Sequence, residues 1–514
     1  MMQALELAHG AIDRARACDW ARRDSLARAL AWGLLWALLG SLALYLIAPN
    51  PWHIQPVRAS ELRASLSVLE HGGPALLGYR LGTHQPFAIG ADDDQGIYAI
   101  VPVLSHWLGQ ADPIATLRWL WIAAWAITQL LSAAVARALF GSSWAALLIP
   151  PALLICIVFF GFGDIYWVSA WVVVTCVPAL ILLARRRPRW AWAALAGIAL
   201  IAGVVTAIRS EAGLPVALSA AAVGVIVSRH WSARAAVAAT IAIAYLAPTS
   251  IALPAIRAHR DRRIGVNLSA REPTSHPFWH TAYLGLGYTP NHYRIHYLDA
   301  YGYAAAQELH PGAPFRLLAY EQTLQREVGA LIERDPGFVA KAEAQKAVAE
   351  LSHAGRYLLL LALLLPAALA ARGRAHLHPS ELALLAPALA IGALPAIVAV
   401  PFRDYELTLL AALGTLGLLA AGSAATRAQE TWREAAPTGG GLLGRTRIML
   451  RGVASAWPAR ATIRALLVTA AILIPVFLFA RHVEAEHERW DRDARNPPTV
   501  VLAGAPARVA SPRA

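Results

Sequence analysis

An all-α polytopic membrane protein with about eleven transmembrane helices is the fold class this sequence predicts. Three observations predict it. Of 514 residues, 57% are hydrophobic and only 15% are charged, well below the charge of an ordinary soluble domain. The apolar residues gather in runs about 20 residues long, the length that crosses a bilayer. The basic residues fall in every second connection between those runs, as the positive-inside rule requires. The net charge of +13 is therefore explained by topology. It lies in short runs between apolar segments and not on a nucleic-acid-binding face. The 18 tryptophans suit anchoring at both membrane interfaces.

Residues 1–28 form a cytoplasmic leader carrying Arg14, Arg16, Arg22, Arg23 and Arg28. The apolar run Ala29–Ala48 follows, and Pro49-Asn50-Pro51 takes the place of a small-residue cleavage site. This reads as an uncleaved first span with the N-terminus inside. The span cores are predicted at 29–48, 116–138, 144–162, 165–184, 190–208, 214–228, 235–256, 356–371, 381–401, 407–421 and 465–480. The sixth and tenth cores are short and either extend further or are re-entrant. Residues 29–256 then form a transmembrane module whose first outer loop, 49–115, carries an acidic motif. Residues 257–355 form an outer loop domain. Within it, helices are expected over 314–333 and from Pro336 to Ser352, the second capped by Asp335 with Pro336 at its first position. Residues 356–480 hold the C-terminal spans and a cytoplasmic loop, 422–463, in which Thr438-Gly439-Gly440-Gly441 is a flexible linker. The outer tail, 481–514, reads as disordered. Cys18, Cys156 and Cys176 have no disulfide or zinc spacing and read as small buried hydrophobes. The chain has no repeat of fixed period.

The first chemical constellation is Asp92-Asp93-Asp94-Gln95-Gly96-Ile97-Tyr98-Ala99, ahead of the apolar segment Ile100–Leu108. Adjacent carboxylates repel one another, which raises the pKa of at least one. Such a group suits a general base or a metal ligand. Asp93 and Asp94 are the residues that would hold a divalent metal ion, if one is used. The second is Asp164, at the turn between spans three and four. It is either the N-cap of span four or a functional acid in an apolar hairpin. Arg209-Ser210-Glu211 and Arg403-Asp404-Tyr405-Glu406 lie at the outer ends of spans five and nine. Each is either a local ion pair or a phosphate-binding arginine oriented by its acidic neighbour. Acidic and basic groups from distant parts of the chain thus map to the outer ends of spans, as a cavity at that interface would require. The last constellation is His276-Pro277-Phe278-Trp279-His280. The two histidines stand four apart, but Pro277 argues for a loop. His276, Trp279 and His280 are expected to offer a sugar or lipid head group an aromatic platform.

In this layout the chain resembles the GT-C class of membrane glycosyltransferases, the class of the protein O-mannosyltransferases and the lipid A aminoarabinose transferase. That class has many spans, a large first outer loop and an early Asp-Glu followed within a few residues by Tyr-Ala. Asp94-Gln95-Gly96-Ile97-Tyr98-Ala99 is similar in spacing. The family's Asp falls on Asp94, and its Glu falls on Gln95, with Asp93 placed to supply the missing carboxylate. The resemblance implies inverting transfer on the outer face from a polyprenyl-phosphate sugar to a glycan, lipid or protein acceptor. It implies Asp94 as general base, with Asp93 beside it, and Arg209 and Arg403 as partners of the lipid phosphate. Asp92, Gln95, Tyr98, Asp164, Glu211, Asp404 and Glu406 support them. Two other functions compete. One is a polysaccharide polymerase or ligase using polyprenyl-diphosphate glycans; the other is a transporter or flippase, which would need charge within the spans.

Overall fold

A computed structural model describes residues 26–46, 54–80, 82–90, 94–160, 164–210, 212–228, 230–271, 278–313, 317–371, 376–401, 405–435 and 459–495. The chain is an all-α, multi-pass membrane protein. Among the described residues, eight helices are long and apolar enough to cross a membrane. They coincide with predicted spans one, two, four, five, seven, eight, ten and eleven. They are α1 (Leu26–Leu46), α4 (Pro113–Phe140), α6 (Trp167–Arg186), α7 (Ala191–Ile208), the continuous Trp231–Ile264, α14 (Pro336–Ala370), α17 (Leu407–Ala435) and α18 (Ala459–Arg495). Predicted spans three, six and nine fall on α5 (Ser143–Phe160), α8 (Leu214–Val227) and the pair α15 (Pro379–Leu382) and α16 (Ala386–Val398). The tenth span is not re-entrant, because α17 runs unbroken to Ala435.

Local sequence sets the helix ends. Asp112 caps α4 by accepting from the Ile114 amide at 3.3 Å, and Pro113 occupies the first helical position. Gly141, at φ +67°, stops it. Asp335 caps α14 through the Phe338 amide at 3.0 Å, as its sequence predicts. Trp231–Ile264 comprises α9 (Trp231–Leu246), a π-helical turn over Ala247–Ala252 and α10 (Leu253–Ile264). Pro248, which lacks an amide hydrogen, sits in that turn. Small residues let helices touch backbone to backbone. A Cβ on Gly203 of α7 would meet the Tyr245 carbonyl oxygen of α9 at 2.2 Å, and one on Gly33 of α1 would meet that of Leu130 on α4 at 2.8 Å.

One end of the bundle carries a crown. Its first part is α2 (Pro56–Glu70), a short antiparallel hairpin of β1 (Leu77–Tyr79) and β2 (Pro86–Ala88), and α3 (Gln95–Trp107). Its second part is α11 (Phe278–Gly285), α12 (Asp299–Leu309), α13 (Leu318–Arg334) and the beginning of α14. The second part has its own core, built on Tyr283, Leu284, Ile295, Tyr320, Leu324 and Leu331. At the opposite end, where the basic loops lie, Arg185 pairs with Glu381 and also donates to the carbonyls of Leu139 and His376. Exposed tryptophans mark both ends: Trp107 and Trp119 by the crown, Trp190 and Trp231 at the other. This is the distribution expected of interface anchors.

Several sequence-based expectations are corrected. The boundaries at 256/257 and 355/356 are not breaks, because α9–α10 and α14 each run through them. An amphipathic helix leaving the apolar layer keeps its backbone hydrogen bonds and has no reason to unwind. The loop 422–463 is helical at both ends, to Ala435 and from Ala459; the linker 438–441 lies outside the described residues. The tail is not disordered from 481, since α18 continues to Arg495. Val483 is fully buried, His487 Nδ1 donates to the Tyr288 carbonyl at 2.7 Å, and Trp490 Nε1 donates to that of Ile295 at 3.2 Å. Those residues form one stripe at helical spacing, which average composition does not reveal. Residues 496–514 lie outside the described residues.

Candidate functional site

The acidic motif enters the structure at the start of α3. Asp94 is the residue before the helix and adopts left-handed backbone, φ 54° and ψ 32°. Asp tolerates this conformation better than most residues, at a cost of roughly 1 kcal/mol. Its side chain does not cap α3. It turns into the crown and is wholly buried. Two guanidiniums hold it there. Arg58, from the first turn of α2, donates through Nη2 to Asp94 Oδ2 at 3.3 Å. Arg209, which ends α7, donates through Nη1 to Oδ1 and Oδ2 at 3.4 and 3.3 Å.

Arg58 joins this pair to Asp164. Its Nε donates to Asp164 Oδ2 at 2.9 Å. Asp164 is therefore the partner of a distant arginine and not the N-cap of α6, whose cap position is Tyr166. It too has positive φ, 44°. Burial works against the Arg58 charge, but Asp164, Tyr98 and Asp94 more than offset it, so its pKa stays above the ordinary arginine range. Arg209 lies over the rings of Tyr166, at 4.6 Å, and Tyr405, at 5.5 Å. Arg257 of α10 donates through Nε to Gln95 Oε1. Tyr98 is buried beside Arg58, whose guanidinium is 5.8 Å from its ring centre. Burial also pushes the Tyr98 phenol well above its usual pKa, which keeps it neutral.

Backbone contact explains why Asp94 and Arg209 meet. A Cβ on Gly96 would stand 2.5 Å from the Ala207 carbonyl oxygen. The first turn of α3 thus rests on the last turn of α7, and no side chain fits between them. Gly96→Ala is expected to push the two turns apart, to destabilise the protein by about 1–3 kcal/mol and to weaken the Asp94–Arg209 pair. Thermal unfolding in detergent checks this; a melting temperature equal to that of the native protein would show that the contact is not needed.

Glu406 lies elsewhere. It is fully buried and faces His353 of α14, whose Nδ1 is 2.7 Å from Oε2. Burial lifts the Glu406 carboxyl above its ordinary range, against the pull of His353. Glu406 is thus separated from the arginines by Tyr405. The loop expected around the aromatic platform is also corrected. Trp279 and His280 lie in helix α11 and not in a loop. Glu321 receives their backbone amides at 2.8 and 3.1 Å. His280 is buried, with Nδ1 2.6 Å from the Tyr320 hydroxyl and Nε2 3.2 Å from Asp299. Both ring nitrogens have partners within the crown, Tyr320 and Asp299, which leaves neither for a sugar or a metal. Asp92, Asp93, Glu211, His276, Arg403 and Asp404 lie outside the described residues.

Among the described residues, no three His, Cys, Asp or Glu side chains converge to hold a metal ion. Asp94 is surrounded by guanidiniums, an environment that repels a divalent cation. The described residues around Asp94 do not fit a metal; Asp93, the other expected ligand, lies outside them. No known protein family matches the chain, and no characterised protein matches its sequence.

Sequence reading found Asp94, Asp164 and Arg209 but missed Arg58 and Arg257. Arg58 stands 36 residues from Asp94 and 106 from Asp164. Nothing local distinguishes it from the other arginines. Its one signal is its position, just after the first span and in the same predicted loop as the acidic motif.

Proposed function

We propose that the protein is a membrane glycosyltransferase of GT-C type. It moves a sugar from a polyprenyl-phosphate donor to a glycan, lipid or protein acceptor at the crown end of the bundle. The topology that goes with this reading has eleven spans, a cytoplasmic N-terminus and the crown on the outer face. The observation that carries it is the buried Asp94 carboxylate held between Arg58 and Arg209 where the crown meets the apolar spans. A lipid-linked phosphate needs cations at the membrane surface and a hydrocarbon layer beside them. This position offers both.

The chemistry runs as follows. The donor phosphate competes with Asp94 for Arg209, and Arg58 keeps its second carboxylate, Asp164. Asp94, relieved of one guanidinium, takes the proton of the acceptor hydroxyl or amine. The acceptor atom then attacks the anomeric carbon from the face opposite the phosphate. The carbon–oxygen bond to the phosphate breaks, and its electron pair leaves with the phosphate, where Arg209 meets the charge. Asp93 and Arg403 keep their proposed roles as second carboxylate and second phosphate partner.

The test uses purified protein in nanodiscs and a panel of radiolabelled polyprenyl-phosphate sugars with membrane-extracted glycolipid acceptors. Transfer from one donor, with release of polyprenyl phosphate, is expected. Arg209→Gln is expected to raise the KM for that donor about 10- to 100-fold, the loss of one or two charge-assisted hydrogen bonds. Robust movement of lipid-linked sugar across the bilayer with no transfer product would replace this reading with a flippase.

A further inference from the structure

A second group of titratable side chains lies where α14, the lead-in to α17 and α18 meet, with Glu350 and Glu406 buried and His353 and Glu484 partly exposed. His353 of α14 places Nδ1 at 2.9 and 2.7 Å from the two carboxylate oxygens of Glu406. Its Nε2 is 3.2 Å from Oε1 of Glu484 on α18. An ionised carboxylate only accepts hydrogen bonds. A neutral imidazole has one N–H, so its other nitrogen would aim a lone pair at a carboxylate. Only the imidazolium satisfies both contacts together. An independent observation points to another proton. Glu350 lies one turn earlier on the same helix face and is 6% exposed, and its Oε1 is buried with no hydrogen-bond partner. Glu406 is near enough to repel a charge on it. A buried carboxylate oxygen without a donor, beside a second carboxylate, favours the protonated acid over the anion.

We propose that Glu350, His353, Glu406 and Glu484 form a proton-binding site whose occupancy latches the crown-side half of α18 onto α14 and the crown. The other groups facing it are Arg356 of α14, which acts on Glu406, and Tyr288 of the crown, which faces Glu406 and Glu484. His487 of α18 stacks on Tyr288 at 4.4 Å. Three carboxylates thus face two cations, His353 and Arg356, and a proton on Glu350 balances the remainder. The latch itself is well defined. Val483 packs with Tyr288, Ala349 and Val400, and Trp490 stacks on His296 at 3.9 Å. Glu406 adjoins Tyr405, whose ring lies against Arg209, so the latch closes one residue from the arginine site. The proposal does not depend on glycosyl transfer.

The sign follows from linkage. The site binds protons more tightly when α18 is docked than when it is free. Docking is therefore strongest below the ordinary histidine pKa of about 6.5 and weakens as pH rises through the docked-state value. Glu350 acts in the same direction.

The experiment is hydrogen exchange on the full-length protein in nanodiscs, corrected for intrinsic rates, at about pH 6 and about pH 8.5. Protection of 481–495 relative to 407–420 is expected to fall about tenfold or more over that interval, the effect of one pKa unit of linkage. His353→Gln is expected to leave 481–495 weakly protected at both pH values. Glu350→Gln, which keeps the shape and removes the charge, is expected to keep it protected to higher pH. Equal protection of the native protein at both values would overturn the proposal. So would an undiminished pH dependence in His353→Gln, which would place the proton on a group outside this site. If His353→Gln does not fold, Glu350→Gln decides: an unmoved midpoint overturns the proposal.

Discussion

Changing Asp94 to asparagine is expected to lower the proposed glycosyl transfer by about 10²- to 10⁴-fold, the usual contribution of a general base. Asparagine keeps the size of the side chain and still accepts from one guanidinium through its carbonyl oxygen, but it cannot take a proton. Cells carrying the variant should accumulate one polyprenyl-phosphate sugar and lose one glycan modification, both read by mass spectrometry. The variant must be made at native levels for the comparison to hold. Its melting temperature separates loss of chemistry from loss of fold, because Arg58 retains Asp164 in either case. Asp94→Glu, which restores a carboxylate in a slightly altered position, should recover part of the activity. Unchanged lipid carriers and glycans in Asp94→Asn would remove Asp94 from the base role.

The second large effect concerns stability. Arg58 is the cation that joins Asp94 to Asp164, and its side chain is only 7% exposed. Arg58→Leu would take the guanidinium from Asp164 and one of the two described guanidiniums from Asp94. Removing one partner of a buried ion pair costs about 3–5 kcal/mol, mostly because the other charge stays buried. A large drop in the thermal unfolding temperature is therefore expected. Combining Arg58→Leu with Asp164→Asn should recover much of it, because the stranded charge is gone and an apolar side chain suits the site. If the double variant is as unstable as the sum of the singles, the arginine acts through packing of its stem and not through the pair.

These two effects bear on how much of the site was legible beforehand. Asp94 stood out because three carboxylates sit next to an apolar segment, a costly arrangement without a purpose. Asp164 and Arg209 stood out because charge at the end of an apolar helix is expensive. Arg58 carried no such mark; it lies on a polar helix where an arginine costs nothing. Glu350 and His353 were hidden for a related reason. Residues 336–352 read as a loop helix, and only the packing of α18 against them turns part of their polar face into an interior. Pro277 suggested a loop at Trp279 and His280, whereas Glu321 caps a helix there from 41 residues away.

The membrane class, the positions of the apolar helices and the Asp335 cap can be read from the amino-acid order. Hydrophobic run length and the local chemistry of Asp, Pro and Gly at helix ends are properties of neighbouring residues, so they can be read along the chain. Tertiary structure alone decided which charges meet. The Arg58–Asp94–Arg209 and His353–Glu406–Glu484 groups each draw on elements far apart in sequence. A guanidinium or carboxylate on an isolated helix is satisfied by water and shows no preference for a partner. Only when helices pack and exclude that water does pairing become the lowest-energy arrangement.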